Sequence, residues 1–187
     1  MSSGELRRHL QKQWPLSSID RFRWTLGPIE STLPGFGVYR VNPRSDAEPW
    51  IYVSDGASRV ETFDGGRFEF FLLSPKEDPQ HVETLAMIAN FHADSLYRVH
   101  LGKVIDIGQP WIENSNMRHL LVSLPFPYGP KVEYLETKQL GCVRVLWLLP
   151  ISPLEAEFVK SHGLEALESR FDDVQIDCLD RYRASVV

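Results

Sequence analysis

The sequence has little cysteine. Two thiols in 187 residues, Cys142 and Cys178, stand in no C-x-x-C pair. That usage excludes a disulfide framework and predicts a reducing compartment with both thiols structural. Long apolar runs are missing as well. Residues 1–14 (MSSGELRRHLQKQW) contain no apolar signal region, and no run approaches the length of a membrane span, so a cytoplasmic protein is expected. Positive charge is the minority sign: 20 Lys and Arg against 25 Asp and Glu give a formal net charge of −5. An acidic chain argues against nucleic acid or an anionic membrane surface and favours a basic protein partner.

Catalytic signatures are also scarce. Asp64-Gly65-Gly66 is followed by no Lys-Ser/Thr, and no strand leads from it into a glycine-rich helix start, so it is no phosphate cradle. Ser123, in Val-Ser-Leu-Pro, lacks the glycine-flanked elbow of a hydrolase. His81 and His92 are eleven residues apart, about 16 Å along a helix, and cannot share one metal ion. The other histidines, at 9, 100, 119 and 162, have no ligand at metal spacing. Arg21-Phe22-Arg23-Trp24 interleaves basic and aromatic residues, but one such tetrapeptide in an acidic chain is weak evidence for nucleic-acid stacking, and a strand with alternating faces explains it. Neither enzyme chemistry, nor a cofactor, nor a metal is expected. An enzyme assembled from scattered acids and histidines is the outlying alternative.

Hydrophobic residues make up 43% of the chain, enough for a sizeable core. One domain is expected over residues 1–187, with a helical extension at 1–20. Ser2-x-x-Glu5 reads as a capping box ahead of Leu6, Leu10 and Trp14. From 20 to 73 the hydrophobic period is two, punctuated by Pro34-Gly35, Asp55-Gly56 and Asp64-Gly65-Gly66. Phe70-Phe71-Leu72-Leu73 is apolar on both faces, as in a strand covered on both sides. Asp78-Pro79 predicts a helix with Asp78 as cap and Pro79 at its first position. Val82, Leu85, Ala86, Ala89 and Leu96 form its stripe, and it ends before Gly102. Strands follow near 104–107, 119–124, 131–135 and 142–149. A capping box, Ser152-Pro153-Leu154-Glu155, then opens a helix that stops at His162-Gly163. Leu164, Leu167, Phe171 and Val174 carry one more helical stripe. Phe70, Leu72, Val122, Val145 and Trp147 are expected in the core.

Proline and aromatic residues crowd the loops, at Pro110-Trp111, at Pro125-Phe126-Pro127-Tyr128 and between Pro15 and Trp24. Rigid prolines lower the ordering cost of binding, and large rings desolvate much area. The other reading is that these rings tuck under their loops as satellite core clusters. A partner surface is therefore expected on Trp111, Glu113, Asn114, Phe126 and Tyr128, with Tyr97 and His100 as neighbours and Glu113 facing a basic group.

Six segments in order resemble the suppressor-of-fused family in its short bacterial form: 68–77 (FEFFLLSPKE), 85–90 (LAMIAN), 100–111 (HLGKVIDIGQPW), 119–129 (HLLVSLPFPYG), 146–151 (LWLLPI) and 162–171 (HGLEALESRF). The likeness spans residues 22–187. It implies an α+β fold, a mixed and mostly antiparallel central sheet with packed helices, and no established catalytic residues. Eukaryotic members bind a transcription-factor peptide as an added strand, and the chain is similar to their N-terminal domain alone. In the region matching their peptide contacts, the aromatic position falls on Phe91. Where an acid is the pattern, His92 and Lys103 stand here, and Asp106 supplies one in a shifted register. Short bacterial members resemble immunity proteins, which neutralise a cognate toxin by direct binding. The resemblance thus implies a non-catalytic binding protein of that kind, or alternatively an intracellular scaffold that takes an extended peptide by strand addition.

Overall fold

The computed structural model describes residues 3–187. Ser2, half of the expected N-terminal capping box, lies outside them. Contacts divide the chain into two compact units, Met1–Val99 with Leu124–Trp147, and His100–Ser123 with Leu148–Val187.

The first unit holds α1 (Ser3–Gln13), β1 (Ile19–Arg23), the short α2 (Ile29–Thr32), β2 (Gly37–Val41), β3 (Trp50–Asp55), β4 (Phe68–Ser74) and α3 (Gln80–Ala93). The second segment of this unit adds α4 (Pro130–Glu133), β7 (Tyr134–Thr137) and most of β8 (Gly141–Ile151). Strand order is β1-β2-β3-β4-β8, with β7 also paired to β8. Neighbours run antiparallel except β4 and β8, which are parallel, with Phe71 opposite Trp147. Every residue of β4 is buried, as its two apolar faces require. Phe68 and Phe70 meet His92 of α3, while Phe71 stacks on Trp147 at 6.1 Å on the other face. α3 presents Val82, Leu85, Ala86, Ile88 and Ala89 to β2, β3 and β4.

The second unit holds β5 (Val104–Asp106) and β6 (His119–Ser123), paired antiparallel, and the end of β8, in the order β8-β6-β5. α5 (Pro153–His162) and α6 (Leu164–Val174) follow. Ser152 and Glu155 form the expected capping box, and Gly163, at φ 87°, makes the break between the helices. The N-terminus of α5 is also an anchor. The fully buried Glu155 carboxylate accepts two bonds from Arg183 and one from the Val186 N–H, which fixes the C-terminal tail.

Among the described residues, eight strands, mostly antiparallel, and six helices match the expected α+β class. Phe70, Leu72, Val122, Val145 and Trp147 are all buried. α3 begins at Gln80, after a Pro79 that is already helical at φ −59° and ψ −24°, and the Asp78 carboxylate accepts the Gln80 N–H at 3.0 Å as the expected cap. Four readings need correction. α3 ends at Ala93, before Gly102 as expected but short of Leu96, because the Asp94 side chain accepts the Leu96 N–H and turns the backbone away from helical geometry. Leu96 is therefore exposed and no part of the stripe, and Val174, at the end of α6, is exposed too. The strand expected at 131–135 begins only at Tyr134, since Pro130 starts a helical turn after Gly129. Cys142 is exposed, because the start of β8 pairs with β7 in a ribbon and places Cys142 opposite Glu136.

Candidate functional site

The C-terminal end of α3 and the turn after it build the clearest exposed apolar surface of the first unit. Phe91 lies in the last turn of α3, and the Asp94 turn carries Leu96 and Tyr97 outward. The Phe91 and Tyr97 rings approach to 6.3 Å. Arg98, next in sequence, lays its guanidinium 5.0 Å from the Phe63 ring centre and donates to the Glu61 carbonyl. Phe63 is 85% exposed, Leu96 84% and Tyr97 57%. Rings held at the surface by local contacts lose little entropy on binding and offer large apolar area, the usual anatomy of a protein-binding anchor.

Beneath this unit's surface sits a closed polar cluster. Glu69 on β4 is fully buried and accepts the Ser54 and Ser58 hydroxyls and the N–H groups of Gly56, Ala57 and Ser58. Gly56, at φ 135°, turns the chain so that these N–H groups point inward. Burial pushes the Glu69 carboxyl up to about 7, although the hydroxyl and N–H donors pull it down. His81 is pushed down to about 4 by burial and stays neutral at the start of α3. The Cys142 thiol is raised by partial burial and then by Glu136, which leaves it protonated and a poor nucleophile. Among the described residues no group of three or more His, Cys, Asp or Glu is placed to hold a metal ion. No helix there is long and apolar enough to cross a membrane.

The residues expected at a partner surface fall in both units. Phe91 and Tyr97 come together as described. In the same unit Phe126 is 60% exposed, and Tyr128 is half-buried with its ring 5.2 Å from Trp14 and 6.3 Å from Phe71. In the second unit Trp111 is only 2% exposed. Its indole N–H donates to Ser115 Oγ, which in turn donates to the Arg181 carbonyl. Trp111 thus plugs its own loop and presents no free ring. Glu113 and Asn114 are exposed beside it, Asn114 with φ 64°, and the Glu113 carbonyl accepts from Arg181 at 3.4 Å. His100 is exposed, and Asp106, exposed at the end of β5, lies 3.9 Å from His119 and accepts the Gly108 N–H.

Sequence reasoning missed Phe63, Leu96 and Arg98. A usable signal existed for Phe63: an aromatic inside Thr-Phe-Asp-Gly-Gly has no apolar neighbour at strand spacing and no core face to join.

The family model of the Suppressor of fused protein (SUFU) matches residues 33–184. The chain belongs to the suppressor of fused family. A crystal structure of a SUFU homolog from Neisseria gonorrhoeae is 44% identical, with 98% of this chain and 96% of that chain covered and a TM-score of 0.89. A chain of the Sufu-Fu complex shares the fold at 18% identity, over 96% of this chain and 89% of its own, with a TM-score of 0.68. Drosophila Suppressor of Fused does so at 20% identity, with 96% of this chain against 50% of its own and a TM-score of 0.67. No curated protein matches the chain in sequence.

Proposed function

We propose that this suppressor of fused protein is a non-catalytic protein-binding domain that neutralises a cognate basic toxin by direct contact, as a bacterial immunity protein in the cytoplasm. The observation that carries the reading is the exposed set of Phe63, which Arg98 covers, Leu96, and the Phe91–Tyr97 ring pair. Three further facts support it. A protein of the same fold occurs in a Sufu-Fu complex. The surface belongs to a chain of net charge −5, which steers a basic partner toward it and raises the on-rate at low salt. The buried Glu69 and His81 are sealed from substrate.

Capture from the native host with tagged protein, followed by identification of what is held, supplies the partner. With that partner, Phe91→Ala and Tyr97→Ala each weaken affinity by roughly 30-fold, the scale of an aromatic anchor worth about 2 kcal/mol. Both rings are partly exposed, so the melt stays at its wild-type position. A double variant that binds the captured protein with unchanged affinity refutes the assignment. A captured protein without toxic activity refutes the immunity role and leaves the binding role standing.

A second reading, capture of an extended peptide by strand addition, is favoured by β1. The Asn42 N–H bonds the Ser18 carbonyl, so the pairs 18/42, 20/40 and 22/38 exchange hydrogen bonds. The backbone of Ile19, Arg21 and Arg23 therefore faces outward from the last strand in the order. Under this reading, amide exchange at those three residues slows when the partner binds.

A further inference from the structure

The first unit has a cleft that shares no residue with the exposed set of Phe63, Phe91, Leu96 and Tyr97. The cleft, of about 410 Å³, opens where the end of α1 and the 14–17 loop face the 42–49 loop. Trp14, Pro15, Leu16, Pro43, Pro49 and Tyr128 supply its apolar walls. We propose that this cleft binds an extended, proline-containing peptide that carries one basic residue.

Three observations select that occupant. The Trp14 and Tyr128 rings pack edge to face, 5.2 Å apart at 80°, and both line the cleft. A pyrrolidine ring packs well on such faces, and a polyproline segment arrives already ordered. Both sides of the cleft are fixed in advance, which lowers the cost of binding. The Gln11 amide donates to the Trp14 and Pro15 carbonyls at 3.2 and 3.1 Å. The Asn42 amide donates to Ser18 Oγ at 2.6 Å and to Asp20 at 3.0 Å. Finally, the 42–49 loop that borders the cleft carries one acid more than it has cations: Arg44 lies on Glu48, and exposed Asp46 has no ion pair among the described residues. A cation next to the prolines would meet Asp46 and Glu48, while Leu16, 76% exposed at the mouth, would cover the peptide's apolar side.

The test uses the full chain and a fluorescein-labelled decapeptide containing Arg-Pro-Leu-Pro-Pro-Leu, read by anisotropy. Saturable binding with Kd on the order of 100 µM is expected, as for small apolar peptide contacts. Trp14→Ala should weaken it at least about tenfold, and Leu16→Ser and Asp46→Lys about threefold each. The last two residues are exposed and leave the fold intact, so they decide the matter if Trp14→Ala unfolds. Peptides with alanine for proline, or glutamate for arginine, should bind at least about tenfold more weakly. Phe91→Ala should change nothing, which separates this cleft from the toxin-binding surface proposed above. No saturation at about 1 mM peptide overturns the proposal. So does equal binding of the alanine peptide, or wild-type affinity in both Leu16→Ser and Asp46→Lys.

Discussion

Trp147 offers a sharp test of the core because its ring is well packed and its polar atom is not. The side chain is 4% exposed, lies opposite Phe71 in the parallel pair of β4 and β8, and stacks on that ring at 6.1 Å and 11°. Truncation to alanine removes this packing and leaves a cavity, a loss of about 3–5 kcal/mol. With a urea slope of about 2 kcal/mol per molar, the midpoint should fall by about 2 M. The indole N–H, however, finds no acceptor among the described residues. An orphan donor of this kind costs about 1–3 kcal/mol. Trp147→Phe keeps most of the stacked ring, loses about 1–2 kcal/mol of packing, and removes the orphan. The two terms nearly cancel, so the phenylalanine variant should lie within about 1 kcal/mol of wild type. Urea melts followed by circular dichroism compare all three proteins. A Trp147→Phe variant as unstable as Trp147→Ala would show that the N–H is satisfied and worth keeping. A loss below about 1 kcal/mol for alanine would remove Trp147 from the core altogether.

Two further outcomes follow from buried charge. The folded-state value of about 7 for Glu69 lies above its ordinary 4.5, so the folded protein holds the extra proton between them. The stabilisation from that proton is complete below about pH 4.5 and is lost as pH rises through 7, a change of up to about 3 kcal/mol. Glu69→Gln should flatten this part of the stability profile in urea melts at pH 5 and 8, and an unchanged slope would contradict it. Arg183→Ala leaves Glu155 buried without its ion partner and should cost about 3–5 kcal/mol. Arg183→Ala combined with Glu155→Gln should recover part of that loss in the same melts, and a double variant no more stable than the single one would mean that the charge is not the cause.

The parts of the fold that could be read in the sequence are those where local pattern and tertiary burial demand the same thing. Phe70 to Leu73 are apolar on both faces because β4 lies between β3 and β8 and is covered above and below. The Ser152–Glu155 capping box was legible because its two hydrogen bonds span only three residues. The errors arose where a side chain overruled the period. Asp94 ended α3 by bonding the Leu96 N–H, a competition that apolar spacing does not encode. Cys142 looked buried because it opens an apolar run, whereas its own pairing is with the exposed ribbon of β7.

The surfaces were less legible, for a related reason. Whether a loop aromatic is an anchor or a plug depends on a partner far away in sequence. Trp111 and Phe126 both follow a proline, but Trp111 finds Ser115 and Arg181 and turns inward, while Phe126 stays out. Phe63 and Phe91 stay out as well, Phe63 under Arg98 and Phe91 against Tyr97, and neither contact has a spacing rule. The proposed binding role calls for such rings to be held rigid at the surface. The physical mark of function here is therefore an apolar side chain that folding could have buried and instead fixed in the open.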